Sequence, residues 1–210
     1  MTTEANTWLD SLRDLAPSIS ARSAEIDAGR RLPLDLLAQL TAAGCFRMFV
    51  PKSQGGLDVD FPTSMEIIET LAAANGSVGW VVMIGCETPM LLALLDAGHF
   101  DRLYANGPDV IIGGAFAPRG TAEVVDGGYR VSGRWAFASG CQHSDWLFGN
   151  CVVTEDGRPR PGAIPGQPEA RAMMFAPSKA QIIDTWSVNG LRGTGSHDIA
   201  VENLLVPADD

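Results

Sequence analysis

The hydrophobic period of this chain changes near Val110, and that change limits what it can fold into more than any other feature. Before it, apolar residues recur three and four apart, the spacing of one helix face. Trp8, Leu12, Leu15 and Ile19 form one such stripe. Pro33 opens a second, with Leu34, Leu37, Leu40 and Ala43 along one side and Gly44 as its stop. Ser64 reads as the N-cap of a third helix that buries Ile67, Ile68 and Leu71. A fourth helical region covers roughly 77–95 and has no polar face over 78–86, so it is expected at the centre of its domain. A short helix follows around 98–105.

After Val110, short apolar segments alternate with Gly, Asp and Pro, the punctuation of an all-β region. AEVV and YRVSG flank Asp126-Gly127-Gly128 and predict a hairpin. DWLFGNCVV closes at Glu155-Asp156-Gly157, and ARAMMFAP, QIIDTW and HDIAVENLLVP complete the set. RPRPGAIPGQPEA (158–170) reads as a mobile Pro/Gly-rich loop. The expectation is an α+β chain: an all-α domain over 1–108, then a small β-barrel or sandwich over 109–210.

Charge removes several classes of partner. Fifteen Lys and Arg against 25 Asp and Glu give a formal net charge of -10, which argues against nucleic acid and against anionic lipid surfaces. The N-terminus lacks the basic start and apolar core of a secretory signal. The longest apolar run, VGWVVMIGC, is stopped by Glu87 and Pro89, far short of a membrane span. Cys45, Cys86, Cys141 and Cys151 include no CxxC pair and read as reduced, buried thiols of a cytoplasmic protein.

Chemistry concentrates in WAFASGCQHSDW (135–146). Cys141 and His143 are alternate residues, so a thiol–imidazole pair is possible, and Asp145 would add a third alternate ligand for a metal. No orienting third group accompanies the pair; ordinary packing is the favoured reading and no metal site is expected. GLRGTGS (190–196) invites a phosphate-loop reading. Asp198 stands where a dinucleotide fingerprint needs its third glycine, however, and the sequel is strand-like, so a tight turn between strands is expected. GGAFAPRGTAE (113–123) differs, because its small residues allow another group close to the backbone. One hairpin later, Trp135, Phe137 and Ser139 should share a strand face. An aromatic slab and a hydroxyl beside open backbone suit the wall of a flat heteroaromatic ligand, or the aromatic stripe of a core; spacing leaves both open.

The order of these motifs resembles the acyl-CoA dehydrogenase-like flavoproteins over essentially the whole chain. LPLDLLAQLTAAGCFRMFVPKSQGGLDVDFPTSMEIIETLAAANGSVGW is similar to the family's N-terminal helical domain. VDGGYRVSGRWAFASGCQHSDW and TWSVNGLRGTGSHDIAVENLLVP are similar to its middle β-domain. The resemblance implies a flavin, FAD or FMN, held between the barrel and a C-terminal four-helix bundle, usually in a homotetramer. It implies that an aromatic and a Ser or Thr two residues later lie against the ring, with the hydroxyl near N5. Those positions match Phe137 and Ser139, with Ala138 between them. It also implies that the preceding strand offers backbone groups to the pyrimidine side, which matches Gly114, Ala115, Phe116 and Ala117.

Two branches of the family are distinguishable. Dehydrogenases usually carry Thr-Glu-Pro-Gly-x-Gly-Ser-Asp where this chain has Phe116-Ala-Pro-Arg-Gly-Thr-Ala-Glu. Losing that hydroxyl and small-residue nest weakens FAD pyrophosphate binding. AFAP, GRWAFASGC, H-x-DW and GLRGTGSHD resemble instead the two-component monooxygenases, which take reduced flavin from a separate reductase and hydroxylate aromatic or polyketide-like small molecules. An acyl-CoA dehydrogenase acting on the α,β bond of a thioester is the alternative, and a non-catalytic subunit or fragment a third. One departure is the helix after Gly-Ser-x-x-Trp, where such monooxygenases often have histidine and this chain has Cys86, Glu87 and Thr88. The larger departure is that the family's C-terminal bundle is absent from the sequence. The catalytic residues it would supply, and the second flavin wall, are therefore expected outside this chain. An uncovered barrel face then favours association.

Overall fold

The computed structural model describes residues 3–92 and 97–208. Helix α1 (Thr3–Ala21) buries Leu9, Leu12 and Ile19, with Trp8 and Leu15 at the edge of the same stripe. A short α2 (Ser23–Gly29) follows, burying Ile26. Helix α3 (Leu34–Ala42) starts after Pro33 and ends before Gly44, which takes φ +81. Its buried face is Leu36 and Leu40, however, and Leu34 is exposed. Leu37 and Ala43 of the predicted stripe still pack against the core beside Leu40, so the buried face is the predicted one rotated to take in Leu36 and release Leu34.

Helix α4 (Phe61–Ala74) buries Ile67, Ile68 and Leu71 as its periodicity predicts. Its cap is Asp60 rather than Ser64: the carboxylate accepts from the Thr63 N–H at 3.0 Å and the Thr63 hydroxyl at 2.8 Å. Pro62 in the first turn, with its fixed φ and no N–H, suits that earlier start. Helix α5 (Gly76–Leu92) is capped by Asn75, whose side-chain oxygen accepts from the Ser77 and Val78 N–H groups. Residues 93–95 of the expected helical region lie outside the described residues. Val78, Val81, Val82 and Cys86 sit in the core, while Trp80 and Met90 are exposed. A Cβ on Gly79 would stand 2.5 Å from the Ala72 methyl, so glycine sets the closeness of α4 and α5. Helix α6 (Ala97–Leu103) completes the set.

The second unit is a mixed sheet of seven strands. They are β1 (Ile112–Val125), β2 (Gly128–Ala138), β3 (Trp146–Glu155), β4 (Arg158–Pro159), β5 (Ala170–Phe175), β6 (Gln181–Ile183) and β7 (His197–Pro207). The order is β4-β3-β1-β2-β7-β6, with β5 also paired to β3. β1 and β2 form the expected hairpin about Asp126-Gly127, whereas β1 and β3 run parallel. Part of the Pro/Gly-rich segment is itself paired: the Arg160 N–H donates to Val153 O, the Glu169 N–H to Arg160 O and the Gly162 N–H to Gln167 O. The sheet's core gathers Val131, Trp135, Leu147, Cys151, Met173, Phe175 and Ile199.

By compactness, one unit comprises Met1–Ile111 with Ser187–Gly195, and the other Ile112–Trp186 with Ser196–Asp210. GLRGTGS is therefore more than a tight turn. Its Gly193 packs on α2 and the start of α5, where a Cβ would lie 2.1 Å from Ile26 and 3.0 Å from Ser77. Arg192 Nε donates to the Asp27 carbonyl at 3.1 Å. Among the described residues, no helix is long and apolar enough to cross a membrane.

Candidate functional site

Strand β2 loses its alternation after Trp135. Its ladder to β7 shifts register between Trp135 and Ala138, and Phe137 takes φ +64. The left-handed region costs a residue with a Cβ about 1–2 kcal/mol. The Ser139 N–H donates to the Phe137 carbonyl at 2.9 Å and closes the bulge. Trp135 and Phe137 therefore do not share a face: Trp135 is fully buried, and the Phe137 ring is 70 % exposed. The irregularity resets the two-residue period, so Ala138 turns its methyl into the core and Ser139 lies beneath the surface at 6 % exposure.

Trp135 is the part of WAFAS that belongs to folding. A Cβ on Gly120, Gly133 or Gly149 would stand 2.3, 2.6 or 2.4 Å from its indole, so three glycines on three strands make its slot. Its Nε1–H donates to Asn150 O at 2.8 Å, which satisfies the buried polar edge.

The other predicted segment runs along β1. A Cβ on Gly113 would lie 3.2 Å from Ser139 O and 2.5 Å from Ser144 Oγ, which brings the start of β1 to the end of β2. Gly114 faces Phe148, whose carbonyl oxygen would be 2.3 Å from any Cβ there. Ala115 still pairs with Gly149, but the β3 ladder then breaks until Gly120, where pairing with β2 also begins. Phe116, Ala117, Pro118 and Arg119 thus stand outside the ladder and are exposed. The Asn150 side-chain amide donates to Phe116 O at 2.8 Å, and the Phe116 ring meets Phe148 edge-on at 5.0 Å.

Three further residues complete the cluster. Trp186 meets Phe137 edge-on, with ring centres 6.1 Å apart and planes at 87°. Ser196 shares a 2.7 Å hydroxyl–hydroxyl bond with Ser139. His197 pairs with Ala138 in the sheet, and its Nδ1 lies 3.3 Å from the Trp186 backbone nitrogen. Sequence patterning assigns these three no role. The usable signal was that TW follows the short β6 and SH opens β7, so a β2–β7 pairing would bring both to WAFAS.

Burial pushes the Cys141 thiol up to about 11, the wrong direction for a nucleophile. Among the described residues, no three His, Cys, Asp or Glu side chains come together as a metal site. Glu87 lies on α5 in the helical unit, where desolvation raises its carboxyl, and Thr88 bonds the Ile84 carbonyl of its own helix at 2.9 Å.

Comparison with known proteins gives a consistent picture. Residues 2–99 match the acyl-CoA dehydrogenase N-terminal domain. The chain is 36% identical over 193 residues to the flavin-dependent monooxygenase oxygenase subunit HsaA of Rhodococcus jostii (strain RHA1), covering 92% of this chain and 48% of that protein. It is 38% identical over 190 residues to indole-3-acetate monooxygenase of Acinetobacter baumannii, covering 89% and 46%. Among solved structures, XiaF from Streptomyces sp. in complex with FADH2 and glycerol superposes with a TM-score of 0.89 at 26% identity, covering 97% and 50%. The chain spans about half the length of these relatives.

Proposed function

We propose that this chain, whose residues 2–99 match the acyl-CoA dehydrogenase N-terminal domain, forms part of the oxygenase component of a two-component flavin monooxygenase acting on an aromatic small molecule. The observation that carries this reading is Phe137: a large apolar ring, mostly in solvent, on a backbone conformation it disfavours. Strain of this kind persists where surrounding structure imposes it, and it clusters at ligand sites. The residues fit a flavin. Phe137 and Trp186 would bound the ring system, the backbone of Gly114–Ala117 would meet its pyrimidine edge, and Ser139, oriented by Ser196, would hydrogen-bond its reactive edge. Reduced flavin supplies the electrons for oxygen activation. The protein's part is to hold the ring, fix the hydroxyl and keep water from the reacting face.

The same reading includes a separate flavin reductase as partner, self-association into a homo-oligomer, and a cytoplasmic setting that suits four buried cysteines outside any disulfide. The test supplies NADH, a flavin reductase, FAD or FMN and candidate aromatic acids or phenols under labelled oxygen. Product carrying one oxygen atom from O2 supports the proposal. Dye reduction by an acyl-CoA thioester without oxygen uptake would replace it with the dehydrogenase reading, which the Phe116 segment disfavours. No flavin binding of either redox state would leave a non-catalytic subunit.

A further inference from the structure

His197 opens β7 with its side chain almost wholly buried, one residue after Ser196 and opposite Ala138. Its neighbours along and across the sheet thus belong to the cluster that presents Phe137 and Ser139. Its Nδ1 has two partners that it cannot serve together. The Trp186 backbone N–H donates to it at 3.3 Å, and an Asp184 carboxylate oxygen lies 3.4 Å away. A neutral imidazole with its proton on Nε2 offers Nδ1 a lone pair for Trp186. Once Nδ1 carries a proton the lone pair is gone, and that N–H turns to Asp184.

We propose that His197 is a positioning residue: its neutral imidazole anchors the Trp186 backbone so that the indole stands against Phe137, and protonation passes that anchor to Asp184. The inference rests on the flavin reading for its purpose but not for its geometry. Other groups around His197 frame the exchange. Cys141 lies at the His197 backbone N–H, and burial keeps it an uncharged thiol. Asp198, the next residue, is held by Arg134 Nε at 2.8 Å and by the Thr185 hydroxyl at 2.9 Å. The Asp198 N–H donates back to Thr185 Oγ1 at 3.0 Å, so the residue before Trp186 is fixed independently. The change of partner is thereby confined to Trp186 itself.

The experiment labels the five tryptophans with 5-fluorotryptophan and assigns the Trp186 resonance by its loss in Trp186→Phe. In flavin-free wild-type protein that resonance moves in one step between pH 5 and 9. His197→Asn sets a non-titrating amide oxygen near the place of Nδ1, and the resonance stays at its high-pH position throughout. His197→Leu removes the acceptor, and the resonance departs from that position at every pH. Asp184→Asn, an exposed change that leaves the core intact if the buried variants misfold, lowers the midpoint of the wild-type step. A wild-type resonance that does not titrate, a step that survives in His197→Asn, or a midpoint unmoved by Asp184→Asn would overturn the inference. Flavin titrations of the same proteins separate the two readings. Affinity that follows the step in wild type and is flat in His197→Asn supports both. A resonance step with no flavin binding at all leaves the anchor standing and removes only its proposed purpose.

Discussion

A phenylalanine at φ +64 with most of its ring in solvent gains little from burial and bears the left-handed penalty of about 1–2 kcal/mol. Folding stability and ligand binding should therefore respond oppositely at this position. Phe137→Ala and Ser139→Ala are expected to weaken flavin binding by about 1–3 kcal/mol, read from fluorescence quenching. Phe137→Gly should lose as much affinity yet melt no lower than Phe137→Ala, because glycine accepts the conformation freely. A lower melting temperature for the glycine variant would make the ring a folding contact after all. Trp135 makes the converse case two residues away. Gly149→Ala drives a methyl into its indole and should destabilise the sheet by about 1–3 kcal/mol, measured by denaturant unfolding. Both roles sit inside WAFAS, and the residue types alone did not separate them.

Individual elements followed their local signals closely, and they departed where two signals competed. The α4 stripe of Ile67, Ile68 and Leu71 is buried as spaced, but the cap moved four residues upstream to Asp60. Hydrogen bonds from the Thr63 N–H and hydroxyl hold the Asp60 carboxyl below the usual carboxylate range. A depressed folded-state pKa stabilises above the unfolded value, and that stability is lost as pH falls through the folded one. Asp60→Ala should thus lower the melting temperature at neutral pH, and the gap from wild type should close on acidification below about pH 4. A gap that is constant with pH would assign the loss to packing. In β2 the alternation held through Trp135 and failed at the bulge. Its register shift arises in pairing with β7, a partner far along the chain.

At the scale of the molecule, the loop Ser187–Gly195 leaves the sheet and packs within the helical unit. Gly193→Ala should therefore destabilise that unit, by about 1–3 kcal/mol, although it lies in a motif flanked by strands. Hydrogen exchange slowed less in α2 and α5 than in wild type is the reading to look for, and an effect confined to β7 would refute it. The four cysteines are buried, and burial raises their thiols. A thiol reagent at neutral pH should leave them unreacted in the native protein and count four in denaturant. The sequence by itself determined the division into helices and strands, because periods of 3.6 and 2 are local consequences of backbone geometry. It also carried the motif resemblance around Phe137 and Ser139. Only tertiary structure decided that Trp135 turns inward while Phe137 turns out, and that Trp186, Ser196 and His197 join them. Those facts depend on which strands pair and where a ladder slips, and no short window of the chain contains both partners.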